Sequence, residues 1–106
     1  MKTFAAILKD KKSGTLSDEL LQKHVDHLRQ LNKSGTLLLC GPFKDNDRAL
    51  QILVSESADE AVQLIESDPF IKEGYYGSYE LNELLVANEE NDWLMDIPQT
   101  KQNLHK

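Results

Sequence analysis

The sequence predicts an α+β fold in which two helices lie on one face of a four-stranded antiparallel sheet. Three observations predict it. Short apolar runs at Phe4–Leu8, Thr36–Pro42 and Ala49–Ser55 are set apart by polar or glycine-bearing segments, as strands are by turns. Two amphipathic stretches each follow a serine, Ser17 and Ser57, and serine is a preferred helix cap. A longer run, Tyr75–Val86, then supplies a last strand.

Each element has a local cause. Phe4-Ala-Ala-Ile-Leu8 is apolar throughout, which suits a buried strand. Lys9–Thr15 is polar and holds Ser13-Gly14, so it reads as a loop. At Ser17-Asp18-Glu19 a capping hydroxyl precedes two acids, and acids are favoured at the positive end of a helix dipole. That helix runs to about Lys33, with Gly35 placed to end it. The strand Thr36–Pro42 stops at Gly41-Pro42, Lys44–Arg48 is a polar turn, and Ala49–Ser55 is the third strand.

Ser57-Ala-Asp-Glu60 has capping-box spacing and opens a second helix with Ala58, Ala61, Leu64 and Ile65 on one face. Pro69 disfavours helical backbone in the residue before it, so this helix stops by Asp68. Phe70–Gly74 connects to the last strand, which carries Tyr79, Leu81 and Leu85 on one side. The order β-α-β-β-α-β is that of the split-βαβ or ferredoxin-like arrangement. One α+β domain is expected over residues 1–87. Residues 88–106 form a polar extension, apolar only at Trp93-Leu-Met95 and Ile97, that adds a helical turn or docks as an arm.

Composition narrows the function. The chain has 106 residues and a formal charge of −6. Nucleic acid and anionic membrane surfaces need clustered Lys/Arg, and the longest basic run, Lys9–Lys12, contains an aspartate. No stretch approaches the ~18 apolar residues of a membrane span, and Phe4–Leu8 is too short for a signal peptide. The single cysteine, Cys40, cannot form an intramolecular disulfide, which fits a reducing, cytoplasmic setting. No CxxC or HExxH motif occurs, so neither a metal nor a cofactor is expected.

The strands also say something about assembly. Leu37-Leu-Leu-Cys40 does not alternate, and Leu50 and Leu53 fall on opposite faces of their strand. Two helices can cover one face of a sheet, and a wet second face should be polar. A second copy of the chain is the simplest cover, so a homodimer is expected.

The first helix, with Leu20-Leu-Gln-Lys-His-Val-Asp-His-Leu-Arg-Gln-Leu31, holds the chemical anomaly. At about 100° per residue from Leu20, Leu31 lies at about 20° and Leu28 at about 80°. His24, at about 40°, sits in the middle of this stripe, whereas His27, at about −20°, is an edge position. On the second helix Asp68 falls on the apolar stripe at the last position, where the dipole disfavours an anion. With both helices on one face, His24 and Asp68 point into the same layer. A carboxylate at one ring nitrogen fixes a histidine's tautomer and leaves the other nitrogen to act as a general base. A structural His–Asp pair is equally compatible with the helix phase, and an aspartate before proline also starts turns.

His24, Gly35, Leu37-Leu-Leu-Cys-Gly-Pro42, a capped helix ending in Asp68-Pro69-Phe70, and Gly74 before the last strand occur in this order. In these motifs the chain resembles the YCII-related family over about residues 1–86. The resemblance implies a ferredoxin-like fold, with dimers of the dimeric α/β-barrel type whose sheets pack face to face. It implies a catalytic dyad at His24 and Asp68, and a characterised member eliminates chloride from a chlorinated hydroxyquinol. Many members carry an arginine shortly before the histidine; here Leu20 and Leu21 occupy that stretch and only Lys23 is basic.

The leading expectation is a small enzyme-like homodimer in which His24, oriented by Asp68, moves a proton on a small organic molecule in a lyase or isomerase reaction. Gly41, Pro42 and Phe70 are the expected substrate-binding residues. A non-catalytic dimeric ligand-binding module and a cofactor-free monooxygenase are the alternatives. Cys40 has apolar neighbours and no adjacent base, and is expected in the core. Tyr75 is expected to pack, and His105 lies in the tail.

Overall fold

Both long helices begin where a serine hydroxyl takes up a backbone N–H. The Leu20 amide donates to Ser17 Oγ at 3.1 Å and opens α1 (Asp18–Lys33). The Glu60 amide donates to Ser57 Oγ at 3.2 Å and opens α2 (Ala58–Glu66). The carboxylate of Glu60 accepts from the Glu56 amide rather than completing a box at Ser57. Gly35, at φ 76°, takes the left-handed position beyond the end of α1, where glycine carries no Cβ penalty.

The computed structural model describes residues 1–97; residues 98–106, with His105, lie outside them. The strands are β1 (Lys2–Lys11), β2 (Leu37–Pro42), β3 (Ala49–Ser55) and β4 (Tyr76–Leu84). They pair antiparallel in the order β2-β3-β1-β4. Leu31 of α1 and Ile65 of α2 share one core cluster with Ala6, Leu8, Leu37 and Leu53. The chain therefore has the α+β, ferredoxin-like fold, with both helices on the same face.

Several boundaries differ from expectation. β1 extends at both ends past Phe4–Leu8 and into the expected loop. It is a central strand, so polar Lys9 and Lys11 still find partners in Ser78 and Tyr76. α2 ends at Glu66, and Pro69 then starts a one-turn helix, α3 (Pro69–Lys72), where a plain connection was expected. Proline suits a first helical position because its missing N–H would be unpaired there. β4 stops at Leu84, leaving Leu85 beyond it. A 3₁₀ segment follows at Glu89–Leu94, in which Trp93 is 56% exposed.

The two faces of the sheet are unequal in cover but not in chemistry. Phe4, Ala6, Leu8 and Leu53 are buried under the helices. Their neighbours Ala5, Ile7, Leu50, Ile52 and Val54 face the other way and are half-buried. Leu39, in register with Ile52, is 57% exposed, and Leu84 is 44% exposed. Among the described residues no helix is long and apolar enough to cross a membrane.

Candidate functional site

After α2, the backbone of Asp68 is extended (φ −66°, ψ 126°) and its side chain caps α3. The Phe70 amide donates to Asp68 Oδ1 at 2.9 Å. The same oxygen lies 2.8 Å from His24 Nδ1, and Gln51 Nε2 donates to Oδ2 at 2.8 Å. The last position of α2 is thus not where Asp68 sits, which corrects the sequence expectation. It stands at the start of the next turn, a favourable place for a carboxylate. Turn-starter and histidine partner are one residue using one oxygen for both contacts.

Asp68 is fully buried. Burial alone opposes ionisation, but the hydrogen bond and charge of His24, then the amides of Gln51 and Phe70, outweigh it. They hold the carboxyl below its ordinary range. An ionised carboxylate only accepts, so Nδ1 of His24 carries the donated proton and Nε2 is the acceptor of the neutral ring. The Phe70 ring stacks on the imidazole at 3.7 Å and 7° between planes, which fixes the ring's tilt as the hydrogen bond fixes its direction.

A cavity of about 370 Å³ opens between α1 and the end of the sheet. Its size falls within the range of small-molecule sites. Four of the five sequence-predicted residues line it: His24, Gly41, Pro42 and Phe70. The fifth, Asp68, is fully buried behind His24, Gln51 and Phe70, which line the cavity. Tyr75 and Tyr76, which pack against Phe70 at 4.7 and 5.9 Å between ring centres, extend the aromatic wall.

Gln51 was missed by sequence reasoning. The signal was present: it is the one polar residue inside Ala49-Leu-Gln-Ile-Leu-Val54, and it shares a face with Leu53. Cys40 was misplaced. It is exposed and lines the cavity rather than the core: the register shift between Leu37 and Leu39 sets it opposite Gln51, on an edge strand where the sheet borders the cavity. Burial, then the charge of Asp68, pushes its thiol upward. His27 stays half-buried outside the cavity, and burial holds its pKa down.

The YCII-related domain matches this chain over residues 1–85. Among solved structures the chain is similar to 5-chloro-2-hydroxyhydroquinone dehydrochlorinase (TftG) from Burkholderia phenoliruptrix AC1100, in complex with 2,5-dihydroxybenzoquinone. That likeness has a TM-score of 0.61 at 24% identity and covers 85% of this chain and 99% of the other. At this identity it shows the fold. No curated protein sequence matches.

Proposed function

This chain belongs to the YCII-related domain family, and we propose that it is a small-molecule enzyme whose general base is His24, oriented by Asp68. The observation that carries this is the 2.8 Å contact between Nδ1 and a fully buried carboxylate, on a histidine that lines a cavity. In the neutral ring Nε2 accepts a proton from an acidic C–H or O–H of the bound molecule. The imidazolium so formed is stabilised by Asp68, and the released electron pair expels a leaving group or is reprotonated elsewhere. These outcomes are a lyase and an isomerase reaction. Dehydrochlorination, the activity in the name of the structural neighbour, is of the first kind. The reading needs no cofactor, and the lone Cys40 suits the cytoplasm.

The test is halide release from chlorinated hydroxyquinols and solvent-deuterium incorporation into acidic small molecules. His24→Ala and Asp68→Asn should each lower the rate by about 10²–10⁴-fold, the usual worth of a positioned acid–base group, with the fold intact by circular dichroism. Unchanged turnover in His24→Ala would sink the proposal. Ligand affinity that depends on His24 without any product would mark a binding module instead.

The protein is further proposed to act as a homodimer, its sheets packed face to face. The support is the apolar second face, with Leu39, Ile52, Val54 and Leu84 presented outward. Light scattering should read two copies for the native chain and one for Ile52→Glu. A native monomer would refute the assembly.

A further inference from the structure

The end of β1 breaks the alternation that governs the rest of the sheet. Leu8 stands opposite Tyr79, and Lys11 opposite Tyr76. Directly opposed residues share a face, and Tyr79 and Leu8 both pack in the core under the helices. Tyr76, three residues from Tyr79, should therefore point to the far face. Instead it is buried against Phe70 in the same core. The break lies at Asp10 and Gly77. Asp10 takes φ 57°, a left-handed conformation that few residues besides glycine, asparagine and aspartate adopt. A Cβ on Gly77 would come within 3.2 Å of the Asp10 carbonyl oxygen. The hydroxyl of Ser78 donates to the Asp10 carboxylate and secures the kink.

The consequence for Lys11 is that it lines the cavity that holds His24. Among the described residues lining this cavity it is the one lysine or arginine. Lys23 of α1 is held at the surface by Glu19 and Glu73 at 3.5 and 3.6 Å. The Lys11 ammonium has a partner in Asp47 at 3.6 Å, but the Asp47 side chain is 81% exposed. Ion pairs this open to water are weak, so an anion in the cavity can displace Asp47.

We propose that Lys11 sets the specificity of the site: its ammonium binds the ionised oxygen of a small planar acid whose ring lies along Phe70 and Tyr76. The ionised oxygen is a carboxylate or an acidic enol or phenol. In its reactive consequence this rests on His24 being the base, since the bound acid presents its remaining proton to that residue; the binding of the anion does not. Burial, then the neighbouring charges of Tyr75, Asp47 and Asp68, pushes the Tyr76 phenol upward. Its hydroxyl stays protonated, able to donate to the same oxygen. The chain has a net charge of −6, and Lys11 is the cation beside this apolar cavity, so its ammonium determines which molecules stay there.

Benzoate and benzamide, alike in shape and different in charge, separate the terms. NMR titration should show benzoate binding at least about ten-fold tighter than benzamide, the scale of one charge-assisted contact. Lys11→Met should remove that preference and leave benzamide unchanged, whereas Lys11→Arg should keep it. The preference is read without turnover, so a native protein that keeps it while moving no proton separates failure of the proton-transfer reading from failure of this one. Equal affinity of the native protein for the two probes overturns the proposal. Binding of neither, or an equal loss of both in Lys11→Met, does the same.

Discussion

Within the layer between helices and sheet, two buried regions follow different rules. Around α2, Phe4, its register partner Leu53, Ala61 and Ile65 are all at 2% exposure or less. A few residues on, Asp68 is as deeply buried, yet it is surrounded by His24, Gln51 and the Phe70 amide. The apolar region asks only for shape and volume, because dispersion and burial are non-directional. The polar region asks for every donor at once, because a buried charge is stable only when paired and hydrogen-bonded. Directionality is what makes the second region useful. The three contacts that keep the carboxylate ionised also aim the imidazole at the cavity.

The comparison can be tested from both sides. Leu53→Ala should cost about 2–5 kcal/mol, the usual range for a cavity left in a packed core. Urea denaturation measures it, and benzoate affinity of the folded fraction should not move. A change in that affinity would mean the two regions are mechanically coupled. Gln51→Leu should cost less, about 1–3 kcal/mol, the penalty of leaving one oxygen of Asp68 without its donor.

The pH dependence sharpens this second case. A native carboxyl held below its ordinary value contributes stability that is complete above the unfolded aspartate pKa of about 3.9. That contribution is lost as pH falls through the lower native value. Removing the Gln51 amide raises the native value toward the unfolded one. The stability gap between native protein and Gln51→Leu should therefore be widest near neutrality and narrow below pH of about 4. A gap of constant size across that range would show that Gln51 contributes packing rather than a hydrogen bond to a charge.

Most of the architecture is legible because its causes are local. Ser17 and Ser57 cap the helices they were expected to cap, Gly35 follows the first helix, and Ala49–Ser55 is a strand over the expected span. α3 was not legible, because Pro69 reads equally as the end of one helix and the start of another. Helix phase singled out the position of His24, and the family resemblance added its reading as a site residue. Asp68 was found on a stripe it does not belong to, since the helix that defined the stripe ends at Glu66. Gln51 escaped because a strand read for its apolar run hides one polar member.

Periodicity, caps and turn residues act within a few positions, so the sequence was enough to lay down the elements, their order and the odd place of His24. Contacts across the fold answer to a different scale. The hydrogen bond between His24 and Asp68 joins positions 44 apart, and that between Ser78 and Asp10 joins positions 68 apart. Whether a buried histidine meets a carboxylate, and whether a lysine on a strand faces solvent or the cavity, is decided by strand register and by one left-handed residue. Those depend on the whole sheet being assembled, because a backbone turn at Asp10 gains its compensation only from Gly77 and Ser78 on another strand.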